Sequence, residues 1–171
     1  MELQEWRAVA ASVTGASHEV SQAPCQDSHR LEILSQNGPV VVLIASDGAG
    51  SATRSEEGST RACEELLDNI RLYVLEGRKV KDISRDTALS WIENAAEAVQ
   101  QAADREGTPL REFACTLVAA VVSDEHAVFI QIGDGAIVFW AHGEDDWCIA
   151  SWPQHGEYLN TTRFLTEAAS R

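Results

Sequence analysis

Val40-Val41-Val42-Leu43-Ile44-Ala45-Ser46-Asp47-Gly48-Ala49-Gly50-Ser51 begins as a continuous apolar run of the kind that forms a buried strand, and it stops at a carboxylate followed by glycines. This reading puts Asp47 at a strand end, a position rigid enough to hold a metal ion. The glycine beside it lets the main chain, carbonyl included, approach the same ion. Asp-Gly is equally a common turn pair, so the stretch taken alone reads as a strand followed by a turn.

Working outward, residues 30–34 and 39–46 form the two strands of a hairpin joined through Ser35-Gln36-Asn37-Gly38, since Asn-Gly is the strongest short hairpin signal. Upstream, residues 6–13 alternate loosely and read as a first strand ending at Thr14-Gly15, with residues 17–27 as a loop. Downstream, from about 56 to 75, the spacing becomes helical: Cys63, Leu67, Ile70 and Val74 recur at intervals of three and four, and Gly77 is the stop. A second helix, capped by Ser84 or Asp82, carries Leu89, Trp91, Ile92, Ala95, Ala96 and Val99 on its apolar side and ends at Gly107-Thr108-Pro109. Strands return at 113–122, 127–132, 136–141 and 147–151. Strand-rich blocks flanking a helical pair imply an α+β fold with antiparallel sheets rather than a doubly wound one.

The 171 residues, 44% of them hydrophobic, suffice for one domain with a substantial core. A net charge of −14 would repel nucleic acid and anionic membrane surfaces, and suits basic partners or bound cations. Cys25, Cys63, Cys115 and Cys148 form no CxxC pair, which argues against structural zinc and a disulfide scaffold. With no secretory signal and no membrane-length apolar stretch, the expectation is a cytoplasmic protein. A Gly-x-Ser-x-Gly elbow, a calcium loop and a dinucleotide fingerprint are all missing.

Four further segments accompany Asp47-Gly48 in order: Ser17-His18-Glu19 through Pro24-Cys25-Gln26-Asp27, then Phe113-Ala114-Cys115-Thr116, then Gln131-Ile132-Gly133-Asp134-Gly135-Ala136, then residues 152–162 from Trp152 to Thr162. Together they resemble the PPM-type, or protein phosphatase 2C-like, family of metal-dependent serine/threonine phosphatases, in its bacterial branch. The resemblance implies an αββα sandwich of two antiparallel sheets with helices outside, spanning residues 1–171. It also implies hydrolysis of phosphoserine or phosphothreonine by a water activated at a two-metal Mn²⁺ or Mg²⁺ centre. Such hard ions prefer oxygen ligands, hence aspartates and backbone carbonyls.

Carried over by position, the resemblance makes Asp47 the carboxylate bridging both ions, and the carbonyl of Gly48 a ligand of the second. Asp27 would act through metal-bound water, Asp134 would lie near the centre, and the Thr116 hydroxyl would hydrogen-bond to Asp47 or Asp134. Two departures stand out. Gln26 replaces an acid, leaving a neutral amide that can still bond a metal-bound water. Ser21-Gln22-Ala23-Pro24 stands where relatives place a phosphate-clamping arginine, which leaves His18 as the substrate-binding candidate. Arg54 is a second candidate, though an exposed helix-start arginine is its ordinary reading.

The family domain continues past the point that Arg171 corresponds to, and carries two further aspartates there, so an incomplete first metal site and self-association through uncovered sheet edges are expected. The partner is a phosphoprotein substrate. The alternative is a catalytically silent phosphatase-like module that binds a phosphoprotein or a regulatory partner.

Overall fold

The computed structural model describes residues 6–141, 143–154 and 162–167. Asn37-Gly38 makes the expected turn, with Gly38 at φ 106°, a conformation only glycine takes without strain. It joins β1 (Ser28–Ser35) to β2 (Pro39–Ser46), which pair antiparallel from Ser28 opposite Ser46 to Ser35 opposite Pro39. The turn also reaches across the molecule, where Gln36 and Asn37 donate side-chain N–H to the carbonyls of Leu75 (3.5 Å) and Gly77 (3.1 Å) at the end of the following helix. Those are carbonyls that a helix end cannot satisfy itself.

That helix, α2 (Ser55–Leu75), is followed by α3 (Arg85–Glu106). The Ser84 hydroxyl caps α3 by accepting from Thr87 N at 3.1 Å, and Gly107 closes it in the left-handed conformation, as the sequence indicates. β3 (Leu117–Val122) and β4 (Ala127–Ile132) then complete a four-stranded antiparallel sheet in the order β1-β2-β3-β4.

Period-two alternation on the strands and the helical stripe meet in one core. Val40, Val42, Ile44, Leu117, Ala119, Val121 and Ile130 face Ala62, Leu66, Ile70 and Val74 of α2 and Trp91, Ala95 and Val99 of α3. Tyr73 and Trp91 meet edge to face with centroids 5.4 Å apart. Leu89, assigned to the apolar side from its spacing, is instead exposed, and the buried stripe continues through Ala102 and Ala103.

The other face of the sheet carries Leu43, Ala45, Val118 and Ala120 and is overlaid by residues 9–11 and 136–138 across a gap of about 350 Å³. Here lies a second sheet of two short strands, β5 (Val138–Phe139) and β6 (Cys148–Ile149), with Phe139 stacked on Phe129 of β4 at 5.2 Å. The described residues therefore form an α+β arrangement of helix, sheet and sheet layers, and the second helical layer of an αββα sandwich is not represented among them. No helix among them is long and apolar enough to cross a membrane.

Several expectations are corrected. Residues 6–13 form no strand: no neighbouring chain offers them a ladder, and Val9 and Val13 are exposed. Within 17–27 the chain makes a short helix, α1 (Ala16–Ser21), in place of an all-loop segment. The strand expected from 113 starts only at Leu117, because Leu110–Phe113 is a 3-10 turn and the residues after it pair with the loop beyond Asp47. Residues 155–161 of the last motif lie outside the described residues.

Gly58, inside α2, sits against the backbone of Phe113. A methyl group there would overlap the Phe113 carbonyl oxygen and lie 2.9 Å from its carbon. Helix propensity alone would make Gly58→Ala stabilising by about 1 kcal/mol. Overpacking against fixed backbone reverses the sign, and we expect a net loss of about 2 kcal/mol in urea unfolding.

Candidate functional site

The loop after β2 is fastened to residues 112–116 rung by rung. Asp47 N donates to Thr116 Oγ1 at 3.0 Å and Thr116 N returns to Asp47 O at 2.9 Å. Gly48 bridges to Cys115, and Ala49 N donates to Ala114 O at 2.9 Å. Further along, Arg54 N donates to Glu112 O at 2.8 Å, while the Glu112 carboxylate accepts from both Thr53 N (3.1 Å) and Thr53 Oγ1 (3.0 Å). Those bonds hold the Glu112 carboxyl below its ordinary value, the backbone one most strongly.

Gly48 is buried for a reason the structure makes plain. A Cβ on it would overlap Gln26 O and lie 2.9 Å from Ser55 Cβ, so the segment carrying Asp27 is drawn against the segment carrying Asp47. The Ser59 hydroxyl donates to the same Gln26 carbonyl at 2.6 Å. Asp27, Asp47 and Thr116 consequently line one cleft of about 310 Å³, together with Ser12, His29 and Gly135.

Asp134 approaches from the end of β4. Gly133 before it has φ 103°, and a side chain there would strike the Thr116 methyl at 2.6 Å, so Thr116 spaces this turn as well as fastening Asp47. Thr162 Oγ1 donates to Asp134 Oδ2 at 2.9 Å. The hydroxyl of Thr116 bonds Asp47, one of the two partners expected for it, by accepting from its backbone amide.

Asp47 feels the two other carboxylates. Asp47 is raised from 3.8 to about 6, first by desolvation and then by the charge of Asp27, a side-chain hydrogen bond with Asp27 and the charge of Asp134. Nearby thiols offer no nucleophile at neutral pH: burial pushes Cys115 and Cys63 up to about 12.

An all-oxygen donor set with crowded negative charge suits a hard divalent cation, which would relieve the repulsion that now lifts Asp47. Among the described residues, however, no three His, Cys, Asp or Glu side chains stand close enough together to hold an ion by themselves. Backbone oxygen and further ligands would have to share the task.

Other sequence candidates fare differently. His18 lies on α1, half-buried, ahead of the Asp27 segment. Arg54 is not available to a phosphate, because it ties the loop to the end of α3 through Glu106 (Nε to Oε2 2.7 Å) and to Glu57 (3.1 Å). Gln26 donates to Ala52 O at 3.3 Å. Sequence reasoning did not single out Glu112, Thr53, Ser59 or Thr162 individually. Only Thr162 carried a signal, its place in the last motif.

The fold and the ordered motifs agree with the comparisons. The chain belongs to the protein phosphatase 2C family, whose model matches residues 14–171. Among curated proteins it is 31% identical over 166 residues to serine/threonine-protein phosphatase 3 of Escherichia coli (strain K12), an alignment covering 95% of this chain and 63% of that protein. The chain thus spans less than two thirds of that relative. Among solved structures, a bacterial serine phosphatase superposes with a TM-score of 0.52 at 17% identity, covering 75% of this chain and 49% of the other, a likeness of fold.

The raised Asp47 value has a consequence for stability. Between about pH 4 and 6 the folded chain binds a proton that the unfolded chain has released, so this group's contribution falls as pH rises through that window. Because Asp47 is exposed at the rim, solvent screening reduces the penalty to about 1 kcal/mol. In chelator, Asp47→Asn should therefore be more stable than the parent by about 1 kcal/mol at pH 7.5 and equal to it near pH 3.5. Urea unfolding at both pH values measures this, and a loss at pH 7.5 would contradict the crowding.

Proposed function

We propose that the chain is a metal-dependent protein serine/threonine phosphatase domain, acting in the cytoplasm on phosphoserine or phosphothreonine. The observation that carries this reading is the convergence of Asp27, Asp47 and Asp134 at one end of the sheet in a protein phosphatase 2C family member.

In this reading Asp47 and the Gly48 carbonyl hold Mn²⁺ or Mg²⁺, with Asp27 beside them. When bound, the ions supply Lewis acidity and a nucleophilic water for attack on phosphorus. Thr116 keeps Asp47 in place through its backbone, and Thr162 orients Asp134. His18 serves as a hydrogen-bond donor to the substrate phosphate.

Arg163 is a further candidate for that phosphate. Its carbonyl lies 3.2 Å from the Cβ position of Gly133, next to Asp134, and its exposed side chain makes no ion pair among the described residues. Most other described arginines are committed, including Arg30 to Glu64, Arg61 to Glu57 and Arg71 to Glu32. Exposed Val138, Trp140, Trp147 and Trp152 on the side of the second sheet provide apolar surface for self-association.

A second reading, a silent phosphatase-like module that binds a phosphoprotein, draws on one observation. The described acidic side chains do not by themselves make a preformed metal cage.

Phosphate release from a phosphothreonine peptide with and without Mn²⁺ tests both. The phosphatase reading expects Mn²⁺-dependent turnover that falls by about 100-fold or more in Asp47→Asn. Absence of turnover from folded protein that still binds the phosphopeptide would establish the silent module instead.

A further inference from the structure

Gln26 stands next to Asp27, and its side chain reaches the loop that follows Asp47. Its Nε2 donates to Ala52 O at 3.3 Å, in the loop that follows Asp47. Its Oε1 is buried and has no hydrogen-bond partner among the described residues, and a Cβ on Gly50 would lie 3.9 Å from it. Its main-chain carbonyl is held by Ser59 Oγ at 2.6 Å and occupies the space that a Cβ on Gly48 would need. One residue thus joins the Asp27 segment, the loop beyond Asp47 and the N-terminal part of α2.

We infer that Gln26 is a positioning residue: a neutral latch that sets the spacing of Asp27 and Asp47 by tying Ala52 down, rather than a group that reads a metal-bound water. The chemistry of the amide is what this place requires. The Ala52 carbonyl accepts from Ser55 Oγ at 3.4 Å, and Nε2 adds a second donor from the Asp27 segment that a carboxylate cannot supply. A glutamate here would turn an oxygen toward that carbonyl and bury a charge beside Asp27 and Asp47, at a cost that only a bound cation could offset. With glutamine the loop is folded before any ion arrives, which spares an ion the cost of ordering it.

The role assigned to the loop rests on the phosphatase reading, but the test does not require turnover. Amide hydrogen exchange in chelator reads the loop directly through Ala49 N and Ala52 N, which donate to Ala114 O and Ala49 O at 2.9 Å each. In Gln26→Ala, exchange at these amides should quicken by about fivefold or more while α3 keeps its protection, the effect of losing one hydrogen bond. Gln26→Glu should quicken it at least as much.

Mn²⁺ binding alone, followed by the spectroscopic signal of the free ion, should weaken by about fivefold in Gln26→Ala. A residue with a merely structural role would leave that affinity unmoved. Unchanged loop exchange in Gln26→Ala would overturn the inference. So would a Gln26→Glu protein that binds Mn²⁺ more tightly than the parent with its loop exchange unaltered in chelator, because the side chain would then serve the ion. Failure of phosphate release with these exchange results intact would sink the hydrolase reading and leave the latch standing.

Discussion

Everything at the site depends on the short antiparallel zip between residues 47–54 and 112–116. A carboxylate at the end of a strand is usually at the mercy of the turn that follows, and glycine-rich turns are costly to order. Here the turn is bonded through main-chain and side-chain groups to a segment that is itself anchored in the core by Phe113, Cys115 and Leu117. The same zip explains two other features. It delays the start of β3, because residues 114–116 pair with a loop instead of extending the strand, and it brings α2 so close to Phe113 that only glycine fits at position 58.

Charge is the second organising constraint. The chain is strongly acidic, yet its arginines are distributed to meet specific acids: Arg71 bonds Glu32 across from α2 to β1, and Arg54 joins the loop to α3. Asp27, Asp47 and Asp134 are left without such a partner in the ion pairs described. Stability and binding thus pull in opposite directions there, since the crowding that destabilises the folded chain at neutral pH is what makes a cation welcome.

Much of this was legible in the residues. The hairpin at Asn37-Gly38, the Ser84 cap, the Gly107 stop and the strand that delivers Asp47 all follow from local chemistry, and local chemistry is what a sequence displays. The misreadings share a different cause. Residues 6–13 look like a strand, but a strand exists only if a neighbour pairs with it, and no pattern within the segment can show that neighbour. Glu112 and Ser59 look like ordinary helix and turn residues; their part in the site arises from contacts across long stretches of chain. Gln26 was visible as a departure from the family pattern, but only its bond to Ala52 shows what the amide does.

The buried thiol in the middle of the zip bears on how such a site would fare under oxidative stress. Burial raises its pKa to about 12, so the Cys115 thiol stays protonated at neutral pH. Peroxides react with the thiolate, so this sulfur is a poor target even though it backs directly onto Asp47-Gly48. Cys63 beneath it is protected in the same way. Peroxide should therefore pass over these two buried sulfurs, leaving half-buried Cys25 and Cys148 to be oxidised first.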